Sequence, residues 1–464
     1  MSHGSHFADF AVVGGGIAGV TCAQQLCFLN TGKSVTLISA APVLKVVADV
    51  LKITRNIEEF TVRESSATAL ESQFPNLKVH NARVDAWTPD KKRLHLSSGM
   101  SLDYGKLCIC TGATPTREFQ APGILVIRDT ETVDDLREKL SGADEIAIIG
   151  NGGIATELVH KVQDCRIHWL IRNKSIGSTF VDSGAAHFFL ESQSLAAREA
   201  EPDKSCPIYK RMRYTVTDRG EKMVDFGTAL GPDWAEQNEL RGHSPNKKLT
   251  IEYSCDIKTV EYDEETRKYV IALSSGKRIV VDIVLAATGV TPNPGCFSNS
   301  LELAPDGGIA VNEKFETSLS DTYAAGDVCS LENSEALWLQ MRLWTQARQM
   351  GDSAARAMSG PEHLIPPYFE VFTHATHFFG FKVVLIGLFN GQGLGGEYEI
   401  LLRTTANVEY IKLILKDGRM KGAILIGDTD LEEVIENLHY SQLDLTDLKE
   451  NLLDPNIDLE DYFD

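Results

Sequence analysis

The chain has 464 residues, 43% of them hydrophobic, which is too long for one core and enough for two to four domains. Forty-five basic against sixty-five acidic residues leave a net charge of -20, which repels polyanions and argues against direct nucleic-acid binding. No apolar run reaches membrane-spanning length, MSHGSH carries no leader pattern, and nine scattered cysteines without zinc-like spacing read as reduced thiols of an intracellular protein holding no metal.

The first pattern is Phe10 to Leu26, FAVVGGGIAGVTCAQQL, an apolar run broken by glycines and resumed with helical spacing. It predicts strand, tight turn and helix. Gly14, Gly16 and Gly19 fit G-x-G-x-x-G: the first for the turn, the second for approach to a pyrophosphate, the third for close packing of the helix on its strand. SVTLIS, Ser34 to Ser39, follows as a second parallel strand, with Ser39 where an acid usually meets the ribose; a serine hydroxyl can still hydrogen-bond one. Ala41 to Phe60 is expected to be loop and helix with Lys45 near its start, and VHNARVDAW to be one short strand. Arg93 to Tyr104 alternates like a hairpin around Ser98-Gly99, and LCICTGATP, Leu107 to Pro115, is a buried strand ending in Thr111-Gly112.

EIAIIGNGGIATEL, Glu145 to Leu158, repeats the strand–turn–helix pattern with Gly150, Gly152 and Ala155 as G-x-G-x-x-A. Its second strand, RIHWLI, ends at Arg172, which either meets the extra phosphate of NADPH or is simply solvated. From about 174 to 246 the pattern lapses into an insertion, read as solvated loop, in which Lys204, Lys210, Arg211 and Arg213 interleave with Tyr209 and Tyr214; GTALGPDW, from Gly227, is a further loop. Strands resume at Leu249 to Tyr253, Tyr269 to Leu273 and Arg278 to Ala286, the last closing in Ala287-Thr288-Gly289. Two strand-to-Thr-Gly endings, each closing one nucleotide unit, indicate an internal duplication. DTYAAGDV places Asp327 after a glycine at a strand end, and Gln340 to Met358 is helical. Beyond Pro366 and Pro367 come antiparallel hairpins with turn signals at Asn390-Gly391 and Asp417-Gly418, then an acidic tail, LLDPNIDLEDYFD.

This order of two fingerprints, two Thr-Gly strands, Ala-Gly-Asp and a β-rich C-terminal domain resembles the pyridine nucleotide-disulphide oxidoreductase family over nearly the whole chain. The resemblance implies an α/β fold: an FAD-binding domain over 7–122 and 293–365, an NAD(P)-binding domain over 123–292 and a smaller antiparallel β-rich α+β domain over 366–450, before a tail at 451–464. It implies FAD held by Gly14, Gly16, Ile17, Ala18, Gly19, Ser39, Val84, Thr111, Gly112 and Asp327. NADH or NADPH would lie along Gly150, Gly152, Gly153, Ile154, Glu157, Arg172 and Gly289. Leu343, Trp344 and Thr345 match the helix start that faces the pyrimidine edge of the flavin, where a helix N-terminus stabilises negative charge. Trp344 either restricts access to the ring or is a core residue, and Lys45 either reaches the flavin or lies over the surface.

Family disulphide reductases carry a cysteine pair after the second strand, yet no cysteine occurs between Cys27 and Cys108. Cys108 and Cys110 share one face of a strand and read as core, Cys22 and Cys27 do not share a helix face, and Cys329 reads as structural. His374 and His377 lack a glutamate partner and read as strand-flanking. No catalytic side chain is expected, because hydride transfer from NAD(P)H to flavin N5 needs geometry and not an acid or base. The expected activity is therefore an NAD(P)H oxidoreductase without a thiol relay, its electrons passing to oxygen, a quinone-like acceptor or an external disulphide. The alternative is a nucleotide-gated binding module whose reduced complex reoxidises slowly. A closer likeness to one family member, in VVGGGIAGVTCA, IIGNGGIA, LGPDW, RLWTQARQMG and the tail, implies oxidative-stress defence and association with the catalytic subunit of a tRNA ligase complex, in cytoplasm and nucleus.

Overall fold

The computed structural model describes residues 6–116, 118–127, 130–196, 209–216, 240–243, 248–331, 339–364, 371–449 and 451–456. Strand β1 (His6–Val13), helix α1 (Ile17–Leu29) and strand β2 (Val35–Ser39) form the first unit, with β1 and β2 parallel. Its strands are apolar without alternation because both faces of a central parallel sheet are covered. The stretch expected to be loop and helix is instead a hairpin of β3 (Leu44–Lys52) and β4 (Glu58–Ser65), in which Lys45 pairs with Glu64 and Val47 with Val62. The β-branched residues Val46, Val47, Thr61 and Val62 favour the pleated form over the helix.

Helix α2 (Ala67–Gln73), capped by the Ser66 hydroxyl, leads to β5 (Leu77–Asn81), β6 (Val84–Thr88), β7 (Arg93–Leu96) and β8 (Ser101–Ile109). The first sheet runs β5-β2-β1-β8-β7-β6, so VHNARVDAW is two strands on opposite edges, divided at Ala82. The expected hairpin arm and the buried LCI run are one strand: β8 pairs antiparallel with β7 near its start and parallel with β1 throughout.

After β9 (Ala113–Pro115) and α3 (Thr130–Leu140), the second unit contains β10 (Glu145–Ile149), α4 (Gly153–Lys161), β11 (Arg166–Leu170), α5 (Ser183–Ala196), β12 (Tyr209–Val216) and β13 (Lys248–Glu252). Strands β14 (Ile257–Asp263), β15 (Lys268–Leu273) and β16 (Arg278–Val281) form an antiparallel layer. Strand β17 (Ile283–Ala286) completes the parallel sheet β13-β11-β10-β17. Next β18 (Val290–Pro292) pairs antiparallel with β9. β19 (Ile309–Val311), β20 (Thr322–Ala324) and β21 (Cys329–Leu331) follow, β20 adding beside β8 in the first sheet. Helix α6 (Trp344–Ser359) packs across α1 so closely that a Cβ at Gly351 would stand 2.3 Å from the Ala18 carbonyl oxygen. It begins four residues later than expected, because Arg342 takes a φ of 52° and Leu343 is extended.

The C-terminal sheet comprises β22 (Thr373–Phe378), β23 (Phe381–Gly387), β24 (Tyr398–Thr405), β25 (Glu409–Lys416) and β26 (Arg419–Ile426), followed by α7 (Glu432–Ser441). The Asp417-Gly418 turn joins β25 to β26, whereas Asn390-Gly391 lies in the longer β23–β24 connection. Strand β12 leaves the second unit and pairs antiparallel with β24, giving the order β12-β24-β25-β26-β23-β22. Residues 209–216, expected as solvated loop, are therefore the edge of a six-stranded sheet; ladder hydrogen bonds outweigh solvation once the chain has a partner strand. GTALGPDW and residues 457–464 lie outside the described residues.

Candidate functional site

Both glycine turns force their chains into geometry closed to other residues. At Gly14 φ is 127° and a Cβ would stand 2.0 Å from the Cys110 carbonyl oxygen. That crossing of the β1–α1 turn over the end of β8 opens a cavity of about 890 Å³, at the upper end of the ~300–1,000 Å³ typical of ligand pockets. Nothing lies within 4 Å of where a Cβ at Gly16 would stand, so the turn meets the cavity as bare backbone. Gly16 is also the N-cap of α1 and supplies no side-chain cap, which leaves first-turn N–H groups for a ligand.

Of the residues expected on the FAD side, Gly14, Gly16, Ile17, Ala18, Ser39, Lys45, Val84, Thr111, Gly112, Asp327, Leu343 and Trp344 line this cavity. Ile154, expected on the nucleotide side, lines it too. Gly19 and Thr345 stand outside the lining. Gly19 packs α1 on the turn, its Cβ position 1.9 Å from the Gly14 carbonyl oxygen. The buried Thr345 hydroxyl instead faces His374 Nδ1 at 3.3 Å.

The polar liners are held in place. Ser39 Oγ donates to the Ala41 carbonyl at 2.8 Å, and Thr111 Oγ1 donates to the Asn293 carbonyl at 2.5 Å. Lys45 reaches the cavity but its ammonium pairs with Glu64 at 2.7 Å, so the hairpin presents an ion pair and not a bare cation. Asp327 follows Gly326, whose Cβ position is 2.7 Å from the Ala18 Cβ, at the junction of α1 and the β20–β21 turn. Burial pushes its carboxyl up to about 7, against the opposing pull of Arg342. Arg342 is fixed in turn, donating to the Asp327 main-chain oxygen at 3.1 Å and pairing with Asp306.

The second turn repeats the first. Gly150 has φ 131° with its Cβ position 2.0 Å from the Ala287 carbonyl oxygen, and Gly289 has φ 96°. Gly152 is the N-cap of α4, again without a side-chain cap, and Gly153 begins the helix, 3.4 Å in Cβ position from the Phe180 ring. Glu157 is half-buried one turn along. Arg172 is exposed beyond β11, its guanidinium 3.8 Å from Glu118.

The thiols are poor nucleophiles where they stand. Cys108 and Cys110 are buried with sulfurs 3.5 Å apart; the bond to Cys108 and burial push the Cys110 thiol well above its ordinary range. Burial likewise raises Cys329, whose sulfur bonds the Gly326 carbonyl at 3.3 Å. His374 and His377 lie within β22 and do not flank it, and burial pushes His374 down to about 4.

Sequence reasoning missed the liners Arg63, Glu64, Asn293, Cys296 and Phe297. Arg63 and Glu64 lie just past the stretch expected as loop and helix, where no motif marks them, and the others belong to a loop without a motif. Asn151 was missed as well. Its side chain bonds Asn173, Ser175 and Ser178 and accepts from the Gly177 N–H, tying the second turn to the loop after β11.

Residues 8–351 match the pyridine nucleotide-disulphide oxidoreductase family, and residues 375–441 match the rubredoxin NAD+ reductase C-terminal domain. The chain is 43% identical to the human pyridine nucleotide-disulfide oxidoreductase domain-containing protein 1, with 98% of each chain covered. It is 40% identical to the Drosophila melanogaster protein of that name, covering 99% of this chain and 100% of the relative. A ferredoxin reductase of Rhodopseudomonas palustris has the same fold, with a TM-score of 0.71 at 17% identity over 98% of this chain and 99% of that one. An NAD-dependent persulfide reductase from A. fulgidus gives 0.68 at 16% identity, covering 95% of this chain and 78% of that one. The bare-backbone turns, uncapped helix starts and large cavity fit a dinucleotide. This chain belongs to the pyridine nucleotide-disulphide oxidoreductase family, FAD-dependent oxidoreductases that use NAD(P)H.

Proposed function

We propose that the protein is an NAD(P)H oxidoreductase that works without a cysteine relay. The observation that carries this is the β3–β4 hairpin: the segment after β2, where the family's thiol pair is expected, is a cysteine-free hairpin lining the large cavity. When bound, FAD supplies a two-electron carrier for hydride from the nicotinamide. In this reading Gly14 to Gly16 and the start of α1 hold the pyrophosphate, and Asp327 holds the ribityl chain. Leu343 and Trp344, at the uncapped start of α6, support negative charge at the pyrimidine edge. The nucleotide lies along Gly150, Gly152, Gly153, Glu157 and Gly289, with Arg172 toward its ribose end. Its role is to orient the nicotinamide, and Phe180 against Phe378, ring centroids 5.3 Å apart, helps to exclude water between the second unit and the C-terminal sheet.

The test is anaerobic stopped-flow mixing of the yellow protein with NADH or NADPH, followed by oxygen. Rapid bleaching with rapid return of colour is the outcome for a turnover enzyme. Bleaching with a persistent long-wavelength band and return over minutes would favour the nucleotide-gated binding role.

The closer likeness to one family member read in the sequence supports a narrower reading, oxidative-stress defence beside the catalytic subunit of a tRNA ligase complex in cytoplasm and nucleus, with the acidic tail and the insertion at about 174–246 as the candidate contacts. Co-precipitation of the ligase with the full chain and its loss on deleting 457–464, the part of the tail beyond the buried Leu452 and Leu453, would support the tail as the contact, and unchanged capture would remove that candidate.

A further inference from the structure

A second cavity, of about 410 Å³, lies between α1, the β3–β4 hairpin and α6. The same three elements line the large cavity one step earlier along each chain. Ala18, Lys45 and Ala347 face the large cavity; Thr21, Val47 and Arg348 face the second. The two chambers are thus neighbours, about one helical turn apart along α1 and facing consecutive residues, Ala347 and Arg348, of α6.

Its lining runs against the charge of the molecule. In a chain of net charge -20, the second cavity gathers Lys52, Arg55, Arg348 and Arg356 against only Glu58 and Asp352. Arg348 pairs with Glu58, and Arg356 Nε donates to Asp352 at 2.7 Å. These ion pairs fix two guanidinium groups and leave further N–H donors on each. At the mouth, Arg55 lies over the Tyr440 ring at 5.1 Å, and neither it nor Lys52 has a carboxylate partner among the described residues. Gln349 is nine-tenths buried, lines the cavity, and its amide makes no hydrogen bond among the described residues. Gln24 and Gln25, half-buried, add two more amides whose side chains make no hydrogen bond among the described residues. These amides open on the cavity beside guanidinium groups held by their ion pairs, and together they offer several N–H donors, some of them charged, to an acceptor that comes from outside.

We propose that this cavity binds a small ligand carrying two anionic oxygen groups, a phosphate ester or a dicarboxylate. One group meets the Arg348–Arg356–Gln349 floor, the other Lys52 and Arg55 at the mouth. The site is separate from both dinucleotide turns, and its test does not depend on the path of the electrons.

The test is isothermal titration of the FAD-loaded full chain, without nicotinamide nucleotide and at low salt, with inorganic pyrophosphate and separately with succinate. Paired variants are Lys52→Gln/Arg55→Gln, whose residues are exposed, and Gln349→Leu. The expected result is one site for at least one probe, weakened tenfold or more in the double variant and measurably in Gln349→Leu, with flavin content unchanged. Binding of pyrophosphate alone assigns the phosphate class, and binding of succinate the carboxylate class. If neither probe binds, or if binding is equally tight in both variants because the anion sits on a nucleotide turn, the proposal is overturned.

Discussion

At Gly14 and Gly150 the backbone makes the same move, with φ of 127° and 131° and a Cβ position 2.0 Å from the carbonyl of a residue just past the adjoining strand, Cys110 or Ala287. Beyond that shared step the two turns diverge. The first continues through Gly15 and Gly16 as bare backbone on the rim of a large cavity. The second continues through Asn151, whose amide binds the loop at 173–178, and through Gly153, covered by Phe180 and approached by Phe378 of the C-terminal sheet. A duplicated motif has therefore been set to two tasks. One copy is a standing cradle; the other is laced to a loop and to another domain, so its fit is coupled to their packing.

Replacing Gly14 by Val should break the first half of that comparison most severely. The added side chain has no room at Cys110, and at positive φ it is strained regardless. We expect purified protein with flavin content reduced about tenfold or more, or no soluble protein, read from the ratio of flavin to protein absorbance. A yellow variant of normal flavin content would contradict the cradle. Gly150→Val is the matched change in the second turn. It should leave the protein yellow while slowing reduction by either nucleotide about 100-fold, measured by anaerobic stopped flow, because the damage lies on the other unit.

How far these two halves could be read in advance follows from the same physics. Glycine spacing, the Thr-Gly endings and Asp327 were legible because a tight turn at positive φ admits few residues. The β3–β4 hairpin was not: KVVADV has apolar residues at spacings that suit a short helix as well as a strand, and its β-branched residues settle the strand once the cross-strand pairs Lys45–Glu64 and Val47–Val62 are formed. Strand β12 was hidden for another reason, since its partner β24 lies nearly two hundred residues away and no local pattern announces that ladder. Liners such as Cys296 and Phe297 come from a loop brought to the cavity by the pairing of β18 with β9.

Arg172 sharpens the comparison from the nucleotide side. Arg172→Ala should lower kcat/KM for NADPH about tenfold relative to NADH if the guanidinium leaves Glu118 for the ribose phosphate, a charge-assisted contact. An unchanged ratio would assign the residue to the surface. The smallest expected effect concerns Asp327. Its carboxyl titrates near 7 when folded and near 3.8 when exposed, so the folded state holds the proton more tightly. Its contribution to stability is full below about pH 4 and is lost as pH rises through 7. Flavin-free wild type should lose more Tm between pH 5 and 8 than Asp327→Asn, and equal losses would place the carboxylate in solvent.

The most direct measurement is an anaerobic titration of the flavoprotein with NADH, counting equivalents needed to bleach the flavin. A chain whose only redox centre is the flavin should bleach fully with one NADH per FAD, its thiol count unchanged. Two equivalents per FAD, with two thiols appearing, would reveal a disulphide in circuit and contradict the account.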